Sequence, residues 1–184
     1  KVHMNQNASM LVFGAGPIGI MLGYLAKTIH NCKKLDFVEV NPHRKKNLED
    51  LEIANNIYSK ETLNSNFDKL KRTYDYVFTA CSIFETHVDG IKLLANGGAI
   101  NFFGGLPKPS PSLELITNEL HYRELMLTGS HGSTPIQHKR AVEIIKENQT
   151  FFKSLVTDRF PLDDISKAFE YASSGKGIKV IIKP

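Results

Sequence analysis

The sequence predicts an α/β fold: a doubly wound six-stranded parallel sheet followed by a C-terminal helix–strand extension. Short β-rich runs alternate along the chain with helical patterns, as strands joined by crossover helices do. The first run, Met10–Phe13, is almost continuously apolar, which is typical of a strand buried on both faces of a parallel sheet. The alternation changes after Pro135, so we expect one domain over residues 1–135 and the extension over residues 136–184.

The strands follow in order from the β-rich runs, and proline marks two of the helix starts. The six predicted strands cover residues 10–13, 35–40, 57–58, 75–79, 99–103 and 125–129. Helices are predicted over residues 17–27 and 42–51, because Pro17 and Pro42 suit the first helical position. Helices separate most of the later strands, although residues 107–111 begin a crossover rich in loops.

The extension has its own pattern. It predicts a helix over residues 136–146, an extended segment over 154–160, a helix over 162–172 and a last strand over 178–182. This tail either adds to the same domain or belongs with elements that this chain lacks.

Composition excludes several classes of protein. Of the 184 residues 41% are hydrophobic and 23% are charged, which is ordinary globular usage and excludes disordered or fibrous chains. The net charge of +4 is dispersed, and the basic cluster at residues 43–46 is followed by Glu49 and Asp50, so we expect no nucleic-acid partner. The uncharged stretch at residues 10–26 is interrupted by glycines and Pro17, so we expect no membrane span.

Cysteine and histidine usage gives two further expectations. Two cysteines are too few for a disulfide scaffold and indicate a reducing, cytoplasmic location. No spacing of Cys and His typical of metal ligands occurs, so we expect no complete metal site within this chain.

The turn after the first strand carries the chemistry. Gly14, Gly16 and Gly19 form a G-x-G-x-x-G motif between a buried strand and an apolar helix, and the acidic Glu39 closes the next strand. Gly14 permits a tight turn, Gly16 lets a pyrophosphate approach the backbone, and Gly19 lets the helix pack close to the sheet. Pro17 suits the first helical position, because the N–H group that it lacks is not needed there. The free N–H groups at the start of this helix can point at phosphates. The motif therefore predicts a dinucleotide-binding Rossmann fold.

Glu39 also predicts the choice of cofactor. We expect its carboxylate to accept hydrogen bonds from both hydroxyls of the adenosine ribose. Two like charges 4 Å apart repel by about 4 kcal/mol at an effective dielectric constant of about 20, so this carboxylate opposes a 2′-phosphate. Nearby Arg44 and His43 could soften the rule. We predict NAD rather than NADP.

Several motifs in register resemble one known family. They cover residues 14–19, 38–44, 103–107, 129–134 and 175–179. In this order they resemble the C-terminal, cofactor-binding half of the zinc-dependent medium-chain alcohol dehydrogenases, closest to the sorbitol/polyol branch. The resemblance spans nearly the whole chain and implies hydride transfer from a secondary alcohol or polyol to NAD.

The resemblance also implies the roles of individual residues. Arg44 would support the ribose, Phe103–Leu106 would pass the nicotinamide, Gly129 and Ser130 would lie near its carboxamide, and Lys179 would reach the pyrophosphate. The predicted cofactor-binding residues are Gly14, Gly16, Pro17, Ile18, Gly19, Glu39, Arg44, Cys81, Ser82, Phe103, Gly104, Gly105, Leu106, Gly129, Ser130 and Lys179.

The sequence departs from the family pattern in two ways. Cys81 and Ser82 stand where the family has Thr-Gly, so backbone freedom is lost there. The resemblance places the family's zinc ligands and proton-relay groups in an N-terminal domain that this chain does not contain, so it implies no catalytic residue here. We therefore expect the chain alone to bind NAD without turning over alcohol. In the complete enzyme zinc would bind the substrate hydroxyl, and we expect a homo-oligomer.

Two other functions remain open at this point. An NAD-sensing regulatory module also begins with a strand, G-x-G-x-x-G, a helix and an acidic residue, but it gives no reason for the motifs at residues 103–107 and 179. An S-adenosylmethionine methyltransferase usually has G-x-G-x-G, a register that Ile18 breaks.

Overall fold

The structure is a computed structural model that describes residues 3–184. The chain divides into two compact units, the first ending at Ser130 and the second running from His131 to Pro184. This division falls shortly before the predicted boundary at residue 135.

The first unit is a six-stranded parallel sheet flanked by helices, which confirms the predicted fold class. The strands are ordered β3-β2-β1-β4-β5-β6, and all neighbours are parallel. The strands are β1 Ser9–Phe13, β2 Lys34–Val38, β3 Asn56–Tyr58, β4 Tyr74–Thr79, β5 Leu94–Phe102 and β6 Met126–Gly129. The helices are α1 Pro17–His30, α2 Pro42–Asp50, α3 Lys60–Leu70, α4 Glu85–Leu93 and α5 Thr117–Arg123.

Helices cover both faces of the sheet, as a doubly wound fold requires. On one face a Cβ at Gly23 of α1 would lie 2.6 Å from the Phe37 ring. On the other face a Cβ at Gly90 of α4 would lie 2.6 Å from Ile100 Cδ1. The core therefore forms two layers, one on each face of the sheet. Successive residues of each strand contribute to opposite layers, because their side chains point to opposite faces.

Two strand boundaries differ from the prediction. The second strand was expected to reach Val40, but it ends at Val38 and Val40 is 62% exposed. Directly after the strand, the Glu39 carboxylate accepts from the N–H groups of Ala15 and Asn41. The fifth strand begins at Leu94, earlier than expected, and its pairing with β4 shifts register between Tyr74 and Tyr76. Gly97 and Gly98 within this strand weaken its sequence pattern.

The second unit contains three α-helices and a pair of parallel strands. Its elements are α6 Pro135–Glu147, α7 Gln149–Ser154, β7 Val156–Pro161, a 3₁₀ turn at Leu162–Asp164, α8 Ile165–Ser174 and β8 Lys179–Lys183. Strands β7 and β8 form a separate parallel pair. The extended segment expected from Ser154 was too long by its first residues, because Ser154 ends the short helix α7.

Candidate dinucleotide-binding site

The first two glycines of the motif have different structural roles. Gly14 adopts a φ of 97°, its N–H donates to the Val38 carbonyl at 2.9 Å, and a Cβ there would lie 2.9 Å from the Ala80 oxygen. The fold itself therefore requires glycine at position 14. At Gly16, by contrast, φ is −71° and a Cβ would meet no protein atom within 4 Å. The fold does not require glycine at position 16, and the space beside it is open.

The N-terminus of α1 lies at this open space. Pro17 occupies the first turn, Gly16 is the N-cap, and no side chain caps the helix. A Cβ at Gly19 would overlap the Gly14 carbonyl oxygen, so glycine there lets α1 sit against the turn. The side chain of Ile18 is 41% exposed. A helix N-terminus of this kind favours an anion, and the space at Gly16 gives a phosphate room to reach it.

Glu39 is held against the glycine turn. Its Oε2 accepts from the Ala15 N–H at 2.7 Å and its Oε1 from the Asn41 N–H at 2.7 Å, and the residue is only 5% exposed. A carboxylate can accept about four hydrogen bonds, and the two backbone N–H groups use two of these positions. The other positions are left for a ligand. The structure thus brings Glu39 to the glycine turn, whereas its predicted bonds to a ribose stay a prediction.

The first turn of α2 lies next to Glu39 in the chain. The Asn41 side chain caps this helix by accepting from the N–H groups of His43 and Arg44 at 2.9 and 3.1 Å. Arg44 is half-buried in that turn. Asn41 is not among the residues predicted from the sequence, although asparagine before Pro42 is a recognisable helix-capping signal.

The segments that follow the carboxyl ends of β4 and β5 form the next part of the candidate site. The Gly104 N–H donates to the Thr79 carbonyl at 2.7 Å, and a Cβ at position 104 would overlap the Cys81 backbone. Neither Cys81 nor Ser82 has a positive φ, so the lost backbone freedom expected there causes no strain. Burial raises the pKa of the Cys81 thiol, which keeps it protonated at neutral pH.

The remaining predicted residues lie after β5, at the end of β6 and on β8. Phe103 is 39% exposed, and with Gly105 and Leu106 it follows β5 at the carboxyl edge of the sheet. Gly129 ends β6, and the N–H of Ser130 reaches the Phe102 carbonyl at 3.5 Å. Lys179 is an exposed residue of β8 in the second unit. Its predicted role stays a prediction.

Asn101 is a residue of this edge that sequence reasoning missed. Its side chain is buried in β5 and donates to Thr128 Oγ1 and Ser130 Oγ, both at 2.9 Å. The signal for it in the sequence was an amide within the otherwise apolar residues 99–103.

Two negative findings apply to residues 3–184. No three His, Cys, Asp or Glu side chains gather there as metal ligands would, so the described residues do not fit a zinc site. No helix among them is long and apolar enough to cross a bilayer.

Known proteins resemble the chain over its whole length. The family model "Glucose dehydrogenase C-terminus" matches residues 2–183. D-altritol 5-dehydrogenase of Agrobacterium fabrum is 29% identical over 159 residues, which cover 86% of this chain and 45% of that protein. The chain spans about half the length of the curated relatives it matches.

Solved structures share the fold. An alcohol dehydrogenase from Thermotoga maritima superposes with a TM-score of 0.85 at 21% identity, over 99% of this chain and 51% of that one. A protein described as a zinc-binding dehydrogenase from Sinorhizobium meliloti, solved bound to NADP, gives a TM-score of 0.85 at 18% identity, over 98% and 53%. The chain therefore belongs to the glucose dehydrogenase C-terminus family, which confirms the predicted resemblance to the cofactor-binding half of zinc-dependent, polyol-type alcohol dehydrogenases.

Proposed function

We propose that this chain is the NAD-binding half of a zinc-dependent oxidoreductase that transfers hydride from a secondary alcohol or polyol to NAD. The observation that carries the proposal is the open space at Gly16, beside an uncapped helix N-terminus and the anchored carboxylate of Glu39. Membership of the family and the polyol named for the Agrobacterium relative support it. The NADP in the Sinorhizobium structure supports a nicotinamide dinucleotide as the cofactor, and the preference for NAD rests on Glu39.

The residues of the first unit suit the parts of a dinucleotide in order. The N–H groups at the start of α1 would bind the pyrophosphate, with Gly16 allowing close approach. Glu39 would accept from the adenosine ribose hydroxyls, and Arg44 would support that ribose. The nicotinamide would lie over residues 103–106 and beside Gly129 and Ser130, where β5 and β6 end.

Glu39 favours NAD over NADP in this proposal. The backbone N–H groups of Ala15 and Asn41 fix its carboxylate, so it cannot swing away from an added phosphate without losing two hydrogen bonds. The loss of such bonds and the repulsion between like charges both oppose a 2′-phosphate.

The nicotinamide, when bound, supplies the hydride acceptor at its C4 atom. The chain's own residues bind the cofactor and orient its ring, which is the condition for transfer between atoms held about 3–3.5 Å apart. Residues 3–184 hold no set of side chains suited to binding zinc.

A ligand titration tests the proposal directly. We expect NADH and ADP-ribose to bind by calorimetry, NADPH to bind more weakly, and S-adenosylmethionine not to bind. Binding of S-adenosylmethionine, or of none of the four ligands, would overturn the proposal.

A further inference from the structure

Asn101 is a buried amide near the carboxyl end of β5. It is 2% exposed, and the preceding residue Ile100 is fully buried. A buried amide destabilises a fold unless it is hydrogen-bonded, so its partners explain why it is tolerated. Both of its N–H hydrogens are used, one on Thr128 Oγ1 and one on Ser130 Oγ, each at 2.9 Å.

The direction of these bonds follows from Thr128. A threonine hydroxyl has one hydrogen, and that of Thr128 is donated to the Ile100 carbonyl at 3.1 Å. Thr128 Oγ1 can therefore only accept from Asn101, which places the amide nitrogen toward β6. The same nitrogen donates to Ser130, so the Ser130 oxygen is also an acceptor in this contact.

Ser130 is consequently left with a hydrogen to donate. No other residue in the described part of the chain takes the hydrogen of its hydroxyl. The residue is half-buried and follows β6 directly, at the carboxyl edge where open α/β sheets bind ligands. Its backbone contact to Phe102 is long at 3.5 Å, so the bond from Asn101 is the shorter of the two that hold it.

The carbonyl side of Asn101 argues against a purely stabilising role. Within residues 3–184 its Oδ1 is buried and has no hydrogen-bond partner. An unpaired buried acceptor destabilises a fold, and an apolar residue would avoid that cost in a strand of this kind. The amide is explained better by what its nitrogen does for Ser130.

We propose that Asn101 is a positioning residue that holds the Ser130 hydroxyl as a hydrogen-bond donor to the carboxamide oxygen of the nicotinamide. The inference rests on the proposed function. Asn101 acts through Ser130, and Ser130 is the group that touches the cofactor.

The test compares NADH with ADP-ribose, which lacks the nicotinamide. Asn101→Val and Ser130→Ala should each weaken NADH roughly fivefold, the worth of one ordinary hydrogen bond. ADP-ribose affinity should stay within about twofold, which also shows that each variant is folded. The double variant should lose no more than either single variant, because both changes remove the same interaction.

Thr128→Val is the matched control. It breaks the same buried network but leaves the bond from Asn101 to Ser130, so the ratio of the NADH and ADP-ribose affinities should stay near the wild-type value. If Asn101→Val lowers the melting temperature strongly, Asn101→Ala and the partly exposed Ser130→Ala carry the comparison.

A cofactor analogue tests the direction of the bond. Reduced 3-acetylpyridine adenine dinucleotide keeps the carbonyl oxygen of the carboxamide but lacks its N–H groups. Ser130→Ala should weaken this analogue as much as it weakens NADH. An analogue indifferent to Ser130→Ala would mean that the hydroxyl accepts from the amide nitrogen, which overturns the proposal.

The two proposals fail in different ways. If wild-type protein binds neither NADH nor ADP-ribose, the proposed function is wrong. If it binds both and Asn101→Val leaves their ratio unchanged, only the role of Asn101 is wrong.

Discussion

The three motif glycines are alike in sequence but unlike in what demands them. Gly14 has a positive φ and Gly19 would overlap the turn if it carried a side chain, so the fold accounts for both. Gly16 has an ordinary φ and open space around it. A ligand that must come close to the backbone accounts for Gly16, and this difference can be measured.

Gly16→Val should abolish NADH binding while leaving the melting temperature within a few degrees of wild type. The new side chain meets no protein atom next to its Cβ, but it fills the space proposed for the pyrophosphate. Calorimetry and thermal denaturation measure the two effects. Gly19→Ala is the contrasting variant, because its Cβ overlaps the Gly14 carbonyl and should lower the melting temperature. Unchanged NADH affinity in Gly16→Val would contradict the proposed phosphate position.

Glu39→Gln should shift the ratio of NADH to NADPH affinity toward NADPH by at least about tenfold, or about 1.4 kcal/mol. The amide removes the charge that opposes a 2′-phosphate, and its NH₂ group cannot accept from a backbone N–H as a carboxylate oxygen does. Titration of both cofactors gives the ratio. Glu49→Gln makes the same charge change on the exposed side of α2 and should leave the ratio unchanged. A constant ratio in Glu39→Gln would remove Glu39 from cofactor selection.

Single elements position these residues through close packing. Helix α1 approaches β2 because Gly23 leaves room for the Phe37 ring, and α4 approaches β5 because Gly90 leaves room for Ile100. Helix α4 also places His87 against Phe102, with ring centroids 4.5 Å apart. The Nε2 of His87 is buried without a partner among the described residues, and burial lowers the pKa of this imidazole.

The α4–β5 packing should therefore weaken in acid. An unfolded histidine has a pKa of about 6.5, and the folded value is lower, so between the two only the unfolded chain binds the proton. The free energy of unfolding should fall as the pH drops from about 6.5 toward the folded pKa, by about 1.4 kcal/mol for each pKa unit of difference. Urea denaturation of wild type, His87→Gln and His87→Phe at pH 7.5 and 5.5 measures this. Both variants should be less sensitive to pH, whereas His121→Gln, at an exposed site, should behave as wild type. Equal sensitivity in all four proteins would exclude His87 as the cause.

The order of the strands in the sheet determines where the candidate site lies. Because β1 lies between β2 and β4, the chain leaves β1 and β4 in different directions, and this is the switch point where open α/β sheets bind ligands. Gly14 meets Ala80 and Glu39 meets Ala15 at this end of the sheet. The predicted site residues of the first unit thus come from five separate stretches of sequence that lie at one edge of the sheet.

The chain alone should bind NAD but not oxidise polyols, with or without added zinc. The reason is that residues 3–184 contain no cluster of zinc ligands, while the proposed cofactor contacts lie within the chain. NADH absorbance in the presence of NAD, zinc and a polyol panel measures turnover, and Gly16→Val provides the background rate. NADH production well above that background would contradict the expectation.

The sequence alone determined the succession of strands and helices along the chain and the identity of the glycine turn. Both are local properties: a run such as Met10–Phe13 reports burial on two faces, and the spacing of Gly14, Gly16 and Gly19 reports a turn between a strand and a helix. The fold class and the family followed from these patterns.

Tertiary structure alone decided which side chains meet. The bond from Ala15 to Glu39, the contact of Gly104 with the Cys81 backbone, and the bond from Asn101 to Ser130 join residues whose partners no local pattern specifies. Hydrophobic periodicity fixes the face on which a residue lies, but a hydrogen bond depends on register and on atomic packing between strands distant in sequence. For that reason Asn101 reads in the sequence only as a polar interruption of a strand, and the sheet makes it the neighbour of Ser130.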